Sequence, residues 1–359
     1  MSIKDLLKEM LDRNASDLFY RAGGSVRFKI DGSLVPLDYK ELTVEDVVRA
    51  VDELTTVKQR EIFKEKMDIS FAIYIQELKM RFRVSIFMQK NWPSIVIRRI
   101  NNSVHSFEEL NLPANILKKL AMEKRGLVLL TGSMGSGKST TIASMIDYIN
   151  CNSKKHILTV EEPIEHTFED KASLINQREL GIDVASYPVA LRAFTLQSPD
   201  VIFISNICDL ETMSSAITAA ETGVLVLSTL HTINAAQSIE RIINFFPPHQ
   251  TQEVRNQLSF LLKGVISLRL VPMKSGAGRI PACEVMLLTP TVSRLIREGK
   301  VWEIPKFIDE GTIFGMQSFN QSLVRLVKEG KVAEEQAVEF SDSRDEFTQT
   351  LRGIKRREE

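Results

Sequence analysis

The sequence predicts an α/β protein of two domains that ends in a helical region. Three observations carry that expectation. Segments in the first hundred residues alternate polar and apolar positions with the period of two that marks half-buried strands. From Leu117 onward short apolar runs alternate with helical stretches, the pattern of a mostly parallel sheet covered by helices. Beyond about residue 285 the strand pattern stops and amphipathic helical periodicity replaces it.

The elements follow in order. The opening stretch, MSIKDLLKEMLDRNASD, places Ile3, Leu6, Leu7, Met10 and Leu11 at helical spacing, and charges interrupt every apolar run, so it is not read as a signal peptide. SVRFKIDGSLVPL alternates through Val26, Phe28 and Ile30 and then turns at Asp31-Gly32, a hairpin signal. DISFAIYI and KMRFRVSIFMQ alternate again through Ile69, Phe71 and Ile73, then Met80, Phe82, Val84 and Ile86. Period two collects Arg81, Arg83 and Ser85 on the opposite face, which is either the wet side of an antiparallel sheet or a working surface. NNSVHSFEELNLP, 101 to 113, is polar and ends in proline, as a linker does. GLVLLTG, HILTVEEP, DVIFIS and GVLVLSTLH then supply the apolar strands. PTVSRLIREGK and MQSFNQSLVRLVKEGK are amphipathic helices, each closed by a glycine stop, Gly299 and Gly330. The expected divisions are 1–100, a linker at 101–113, a nucleotide-binding core at 114–285 and a helical region at 286–359.

Composition narrows the function classes. The 359 residues are enough for two or three domains with real cores. Lys plus Arg equals Asp plus Glu at 46 each, so no basic excess points to a nucleic-acid partner, and none is expected. Cys151, Cys208 and Cys283 lack metal-ligand spacing, and their odd number argues against a disulfide framework. No apolar run approaches the ~18 residues of a membrane span, which leads to the expectation of a soluble, cytoplasmic chain.

The strongest motif is GSMGSGKST, 132 to 140, which matches G-x-x-x-x-G-K-[ST] through Gly132, Gly137, Lys138 and Ser139. Glycines let backbone N–H groups of Ser133, Gly135, Ser136 and Thr140 curl around phosphates at a helix N-terminus. Lys138 is placed to neutralise phosphate charge, and Ser139 to bind magnesium. The apolar strand Leu127 to Leu130 before it and the helical TTIASMIDYI after it give the required context. ATP with Mg2+ is the expected ligand.

Further stretches carry a family resemblance that covers nearly the whole chain. ASDLFYRAGGSVRFKIDGSL, RFRVSIFMQ, the phosphate loop, ILTVEEPIEH, NQRELGID, DLETMSSAITAAETG, STLHTINAAQSIERIINFFP, LIREGK and GMQSFNQSL resemble the secretion ATPases of the type II and type IV pilus class. The likeness is greatest to their pilus-retraction branch, PilT and PilU. The resemblance implies a PAS-like N-terminal domain, a RecA-like ATPase domain and a hexameric ring. It also implies work with a paralogous retraction ATPase and an inner-membrane platform protein, at the cytoplasmic face of the membrane. By the same carry-over, Arg81, Arg83 and Arg98 become candidates to face the nucleotide phosphates, a task suited to a permanent, forked charge.

Matching motif by motif exposes departures. Where the family reads roughly G-E-(M or I)-R-D at its second acidic strand, this chain has Ser205, Asn206, Ile207, Cys208 and Asp209. An amide thus replaces the glutamate that would polarise the attacking water, and a thiol replaces an arginine. Where family members tend to carry LRxxPD before that strand, this chain has Leu196-Gln197-Ser198-Pro199-Asp200 and so lacks the arginine, and the histidine expected in GHLV is Val224. Glu161, in TVEEPIEH with Glu162 and Glu165, stands as the surviving candidate to order water or magnesium, or else balances the charge of Lys138. His231 in STLHT matches the family's remaining histidine and is a candidate sensor of the γ-phosphate. Three readings follow: a working retraction motor, a nucleotide-binding ring subunit poor in hydrolysis that assists a competent paralogue, and a DNA-translocating motor, against which the balanced charge counts.

Overall fold

The computed structural model describes residues 2–30, 32–100, 104–194, 196–276 and 278–353. The chain divides into two compact units, Met1–Ser103 with Pro163–Thr167, and Val104–Glu162 with Phe168–Glu359. The short stretch 163–167 lies within a region that reads in sequence as part of the second unit.

The first unit is a six-stranded antiparallel sheet in the order β3-β2-β1-β6-β5-β4. Its strands are β1 (Asp17–Arg21), β2 (Arg27–Ile30), β3 (Ser33–Pro36), β4 (Asp68–Ile75), β5 (Met80–Gln89) and β6 (Trp92–Arg99). Three helices accompany them, α1 (Ile3–Asp12), α2 (Val44–Leu54) and α3 (Val57–Lys66), and all three begin with a reciprocal capping box. Ile3, Leu6, Leu7 and Met10 of α1 are buried, as their spacing requires, in one core with Phe82, Val84 and Ile86 of β5. The β2–β3 hairpin pairs Ile30 with Ser33. Gly32 adopts φ 83°, a turn conformation that glycine supplies without steric cost, while Asp31 lies outside the described residues. Strands β1 and β6, which complete the centre of this sheet, carry no comparably clean alternation in sequence.

The second unit is a seven-stranded sheet in the order β13-β12-β7-β11-β10-β8-β9. Its strands are β7 (Gly126–Thr131), β8 (His156–Glu161), β9 (Leu174–Glu179), β10 (Val201–Ile204), β11 (Leu225–Leu230), β12 (Leu262–Pro272) and β13 (Arg279–Leu287). Six run parallel, and β13 pairs antiparallel with β12 at one edge. The four central strands β7, β11, β10 and β8 are almost wholly buried, which explains their continuous apolar runs. The accompanying helices are α4 (Ala114–Ala121), α5 (Lys138–Asn152), α6 (Tyr187–Phe194), α7 (Leu210–Glu221), α8 (Ala235–Ile243) and α9 (Thr251–Leu261).

Of the linker read at 101–113, residues 101–103 lie outside the described residues, while Phe107 and Leu112 are buried in the second unit's core. Helices α10 (Pro290–Glu298), α11 (Ile304–Glu310), α12 (Phe319–Lys328), α13 (Glu334–Phe340) and α14 (Arg344–Leu351) follow β13. They belong to the same unit. Val292 and Ile304 join its main core, and Phe319, Ala337 and Phe347 pack with Val271 and Ile280 of the β12–β13 pair. The glycine stops hold: Gly299 caps α10 at φ 77°, and Gly330 stands just past α12 at φ 71°.

Candidate nucleotide-binding site

In open parallel sheets ligands bind beyond the C-terminal ends of the strands. Here Thr131 of β7 is in register with Leu230 of β11, and Ile204 of β10 with Ser228 of β11 and Val160 of β8. Gly132, His231, Ser205-Asn206 and Glu161 therefore emerge along one edge of the sheet.

The glycine-rich loop follows β7 directly. Gly132, Gly135 and Gly137 take φ values of 146°, 74° and 100°. A Cβ at Gly132 would stand 2.5 Å from Ser136 Oγ and 2.6 Å from the Leu268 carbonyl oxygen, so glycine is a steric requirement. Ser136 Oγ is buried without a hydrogen-bond partner among the described residues. Lys138, 7% exposed, donates to the carbonyls of Gly132 at 2.7 Å and Ser133 at 2.9 Å. Ser139 and Thr140 follow in the first turn of α5, whose first N–H groups have no partner within the helix. A cavity of 290 Å³ opens against Gly132–Ser136, Ile233, Arg269, Arg279 and Phe340.

These features fit phosphate groups. The ammonium, an orphaned buried hydroxyl and the helix N-terminus all offer donors, and there is no side chain at Gly132 to block approach. No group of three or more His, Cys, Asp or Glu that could hold a metal exists among the described residues.

His231 is drawn into the same cluster, with Nδ1 3.4 Å from Lys138 Nζ. Partial burial and then the charge of Lys138 hold its pKa below the usual imidazole value, although the ring still reaches solvent. Lysine can only donate, so Nδ1 is the acceptor and the neutral ring carries its proton on Nε2. An Nε2–H donor beside Lys138 is what a phosphate sensor needs.

Glu161 is 5% exposed at the end of β8, with β10 and β11 between it and β7. Its Oε1 accepts from Thr159 Oγ1 at 2.7 Å and from Gln177 Nε2 of β9 at 3.0 Å, which fixes the carboxylate's orientation. Beyond β10 the backbone is pinned. Ser205 N donates to the Val160 carbonyl at 3.0 Å, Thr229 Oγ1 donates to the Ser205 carbonyl at 2.5 Å, and Ile207 N donates to the Thr229 carbonyl at 3.1 Å. Ser205 Oγ also bonds the Tyr187 hydroxyl at 2.8 Å and accepts from Glu162 N at 3.2 Å. Burial pushes Tyr187 up to about 12, so its proton stays in this network. Between these fixed neighbours Asn206 Oδ1 is buried and finds no hydrogen-bond partner among the described residues. The acid nearest in sequence, Asp209, is used elsewhere: it caps α7 by accepting from Thr212 N at 2.8 Å.

The three arginine candidates lie in the first unit. Arg83 of β5 is in register with Arg98 of β6, and Arg81 lies two residues along the same face. Arg98 Nε pairs with the buried Asp17 at 2.7 Å, whereas Arg83 is exposed and donates to Ser70 Oγ at 3.3 Å. Like charges directly opposite on a sheet repel, and Asp17 offsets that here.

Sequence reading passes over Gln177 and Tyr187, whose polar neighbourhoods leave no local pattern. It also passes over Glu284, although a lone acid inside the apolar run PACEVML was a signal in plain view.

Strand, loop and helix here define a P-loop nucleotide-binding protein with a RecA-like parallel core. Residues 1–300 match the family Type II/IV secretion system protein. The chain is 41% identical over 347 residues to the type IV pilus ATPase PilU of Pseudomonas aeruginosa, covering 97% of this chain and 90% of that one. To the type IV pilus retraction ATPase PilT of the same organism it is 39% identical over 347 residues, covering 97% of this chain and all of that one. The crystal structure of the pilus retraction motor PilT with bound ADP superposes with a TM-score of 0.90 at 40% identity, across 96% of this chain and 98% of that one. This chain belongs to the type II/IV secretion ATPase family, in its PilT/PilU-type, pilus-retraction branch. No helix among the described residues is long and apolar enough to cross a membrane.

Proposed function

We propose that this chain is a subunit of a hexameric ring that binds ATP with Mg2+ and powers or assists type IV pilus retraction and twitching motility, with hydrolysis slower than in a fully equipped motor. The observation that carries the second half is Asn206, a buried amide oxygen with no partner, at the position where the family resemblance places the water-polarising glutamate. An amide can hydrogen-bond water but cannot accept its proton.

We assign the chain's own groups these roles. The loop N–H groups and Lys138 hold the phosphates, and the hydroxyl of Ser139 takes one magnesium position. Bound Mg2+ would supply Lewis-acid neutralisation of developing phosphate charge. Glu161, held by Thr159 and Gln177, is oriented to order water or the metal's hydration shell. His231 donates from Nε2 towards the terminal phosphate. By the family resemblance alone, Arg81, Arg83 and Arg98 are assigned to face the nucleotide phosphates. The partners are identical subunits, a paralogous retraction ATPase and an inner-membrane platform protein, with the ring at the cytoplasmic face of the inner membrane.

A general base contributes roughly 10²–10⁴-fold to such reactions. Its loss supports a second reading, in which the ring is a nucleotide-responsive accessory and a competent paralogue supplies the force. Steady-state phosphate release by the purified full chain, with light scattering to size the assembly, tests both. Slow turnover by a ring supports the proposal. Turnover at the 1–100 s⁻¹ typical of dedicated phosphoryl-transfer enzymes, or a monomer at every concentration with and without nucleotide, overturns it.

A further inference from the structure

Glu284 is almost wholly buried on β13, at 6% exposure, away from the phosphate loop. A buried carboxylate is costly unless it is fully bonded, and this one is bonded in a particular way. Its Oε1 accepts from the backbone N–H of Ala235 at 2.7 Å and from Ser267 Oγ at 3.1 Å. Ser267, on β12, accepts in turn from Thr131 Oγ1 at 3.0 Å. Thr131 is the last residue of the strand that delivers the phosphate loop. Ala235 is the first residue of α8, four positions after His231.

The Ala235 N–H is one of the donors that a helix N-terminus leaves unsatisfied. Asn234 caps α8 by accepting from Gln237 N at 2.9 Å, which leaves Ala235 to Glu284. The carboxylate on β13 is thus bonded to β12 and to the start of α8 directly and to β7 through Ser267, and the chain of bonds ends one residue before Gly132 on one side and four residues after His231 on the other.

We propose that Glu284 is a positioning residue, which through Ala235 and Ser267 sets the His231–Asn234 segment against the phosphate loop and thereby gives the site its preference for a nucleoside triphosphate over a diphosphate. This rests on the nucleotide-site reading above and adds a residue to it. Glu284 touches no phosphate position itself. It acts on the segment that carries the imidazole 3.4 Å from Lys138.

Burial raises Glu284 to about 7, against the bonds from Ala235 and Ser267, which lower it. The charged groups around it are Arg269 of β12 and Asp342, which pair with each other at 2.5 Å. Above pH 7 the ionised carboxylate makes charge-assisted bonds, which are about twice as strong as neutral ones. Below pH 7 the neutral acid still accepts at Oε1, more weakly. Glu284→Gln imitates that neutral state with little change of shape, and Glu284→Ala removes both acceptors.

The test uses the full chain, with affinities for ADP and for a non-hydrolysable ATP analogue measured in Mg2+ between pH 6.5 and 8.5. We expect Glu284→Ala to weaken triphosphate binding about tenfold while diphosphate binding changes less than about threefold, a difference on the scale of one charged hydrogen bond. Glu284→Gln should match the unmodified protein at pH 6.5 and show no further gain in triphosphate preference as pH rises. Equal loss of both affinities in Glu284→Ala, or a fall in melting temperature with the affinity ratio unchanged, would reduce Glu284 to a packing role and overturn the inference. If Glu284→Ala does not fold, the pH profile of Glu284→Gln decides, and a profile parallel to the unmodified protein overturns it. An unmodified protein that binds neither nucleotide would overturn the nucleotide-site reading itself, and this inference with it.

Discussion

Replacing Asn206 by glutamate asks whether one amide would account for the slow hydrolysis proposed above. Asn206 sits between a pinned Ser205 and a buried Ile207, and its Oδ1 is buried without a partner. An acceptor left unpaired costs about 1–3 kcal/mol, so Asn206 Oδ1, unpartnered among the described residues, is open to a water or a ligand. A carboxylate there would be partly desolvated, which raises its pKa towards the working pH, where a general base is most effective. The full contribution of such a group is roughly 10²–10⁴-fold. Only part should return in Asn206→Glu, because Cys208 and Val224 still stand where the family pattern has an arginine and a histidine, and groups that act as a unit are not additive. A gain of ~10–100-fold is expected, or about 1.4–2.8 kcal/mol of transition-state stabilisation. The assay is phosphate release under saturating Mg2+ and ATP, with nucleotide affinity and melting temperature measured alongside, since a buried carboxylate is expected to lower stability. An unchanged rate with affinity and fold intact would refute the reasoning and place the defect at Cys208 and Val224. Fast turnover before any substitution would refute it differently, by showing that Glu161 or another acid already serves as the base.

Two further expectations concern single side chains. Lys138→Ala should abolish binding of ATP and ADP in calorimetry while the chain stays folded, because Lys138 Nζ bonds the loop carbonyls of Gly132 and Ser133 where phosphates are expected; unchanged affinity would sink the assignment of this loop. Arg98→Ala should destabilise the first unit by about 1 kcal/mol, discounted for the exposure of Arg98, by leaving the buried Asp17 without its cation, whereas Arg83→Ala should leave the melting temperature nearly unchanged and lower turnover. A stability loss in Arg83→Ala as large as that in Arg98→Ala would show that both arginines serve only the sheet.

Much of this molecule was legible in its sequence. The phosphate loop is local: its glycines, Lys138 and Ser139 lie within eight consecutive positions, and a strand and a helix must flank them. The parallel core was legible for a related reason, since strands buried on both faces read as unbroken apolar runs. Asn206 could be singled out because a motif has fixed offsets and a missing acid shows as a gap. What escaped were bonds between segments far apart in the chain. Gln177 reaches Glu161 only because β9 lies beside β8. Tyr187 meets Ser205 only because α6 runs past the end of β10. The opposition of Arg83 and Arg98 depends on the register between β5 and β6, which no local pattern specifies.

By itself, the sequence determined the two α/β units, the helical end, the phosphate loop and the departures at Asn206, Cys208 and Val224. The units, the helical end and the phosphate loop depend on periodicity, steric demand or residue chemistry over a few neighbouring positions, and the three departures show only against the pattern that the family resemblance supplies. The tertiary structure alone decided which of the polar groups are partnered with one another. It placed His231 on Lys138, gave Asp209 to a helix cap and Arg98 to Asp17, left Asn206 Oδ1 unpartnered, and joined Thr131 to α8 through Ser267 and Glu284. The physical reason is that a hydrogen bond forms over about 3 Å, and residues far apart in the chain come that close only when the sheet order and register bring their strands together.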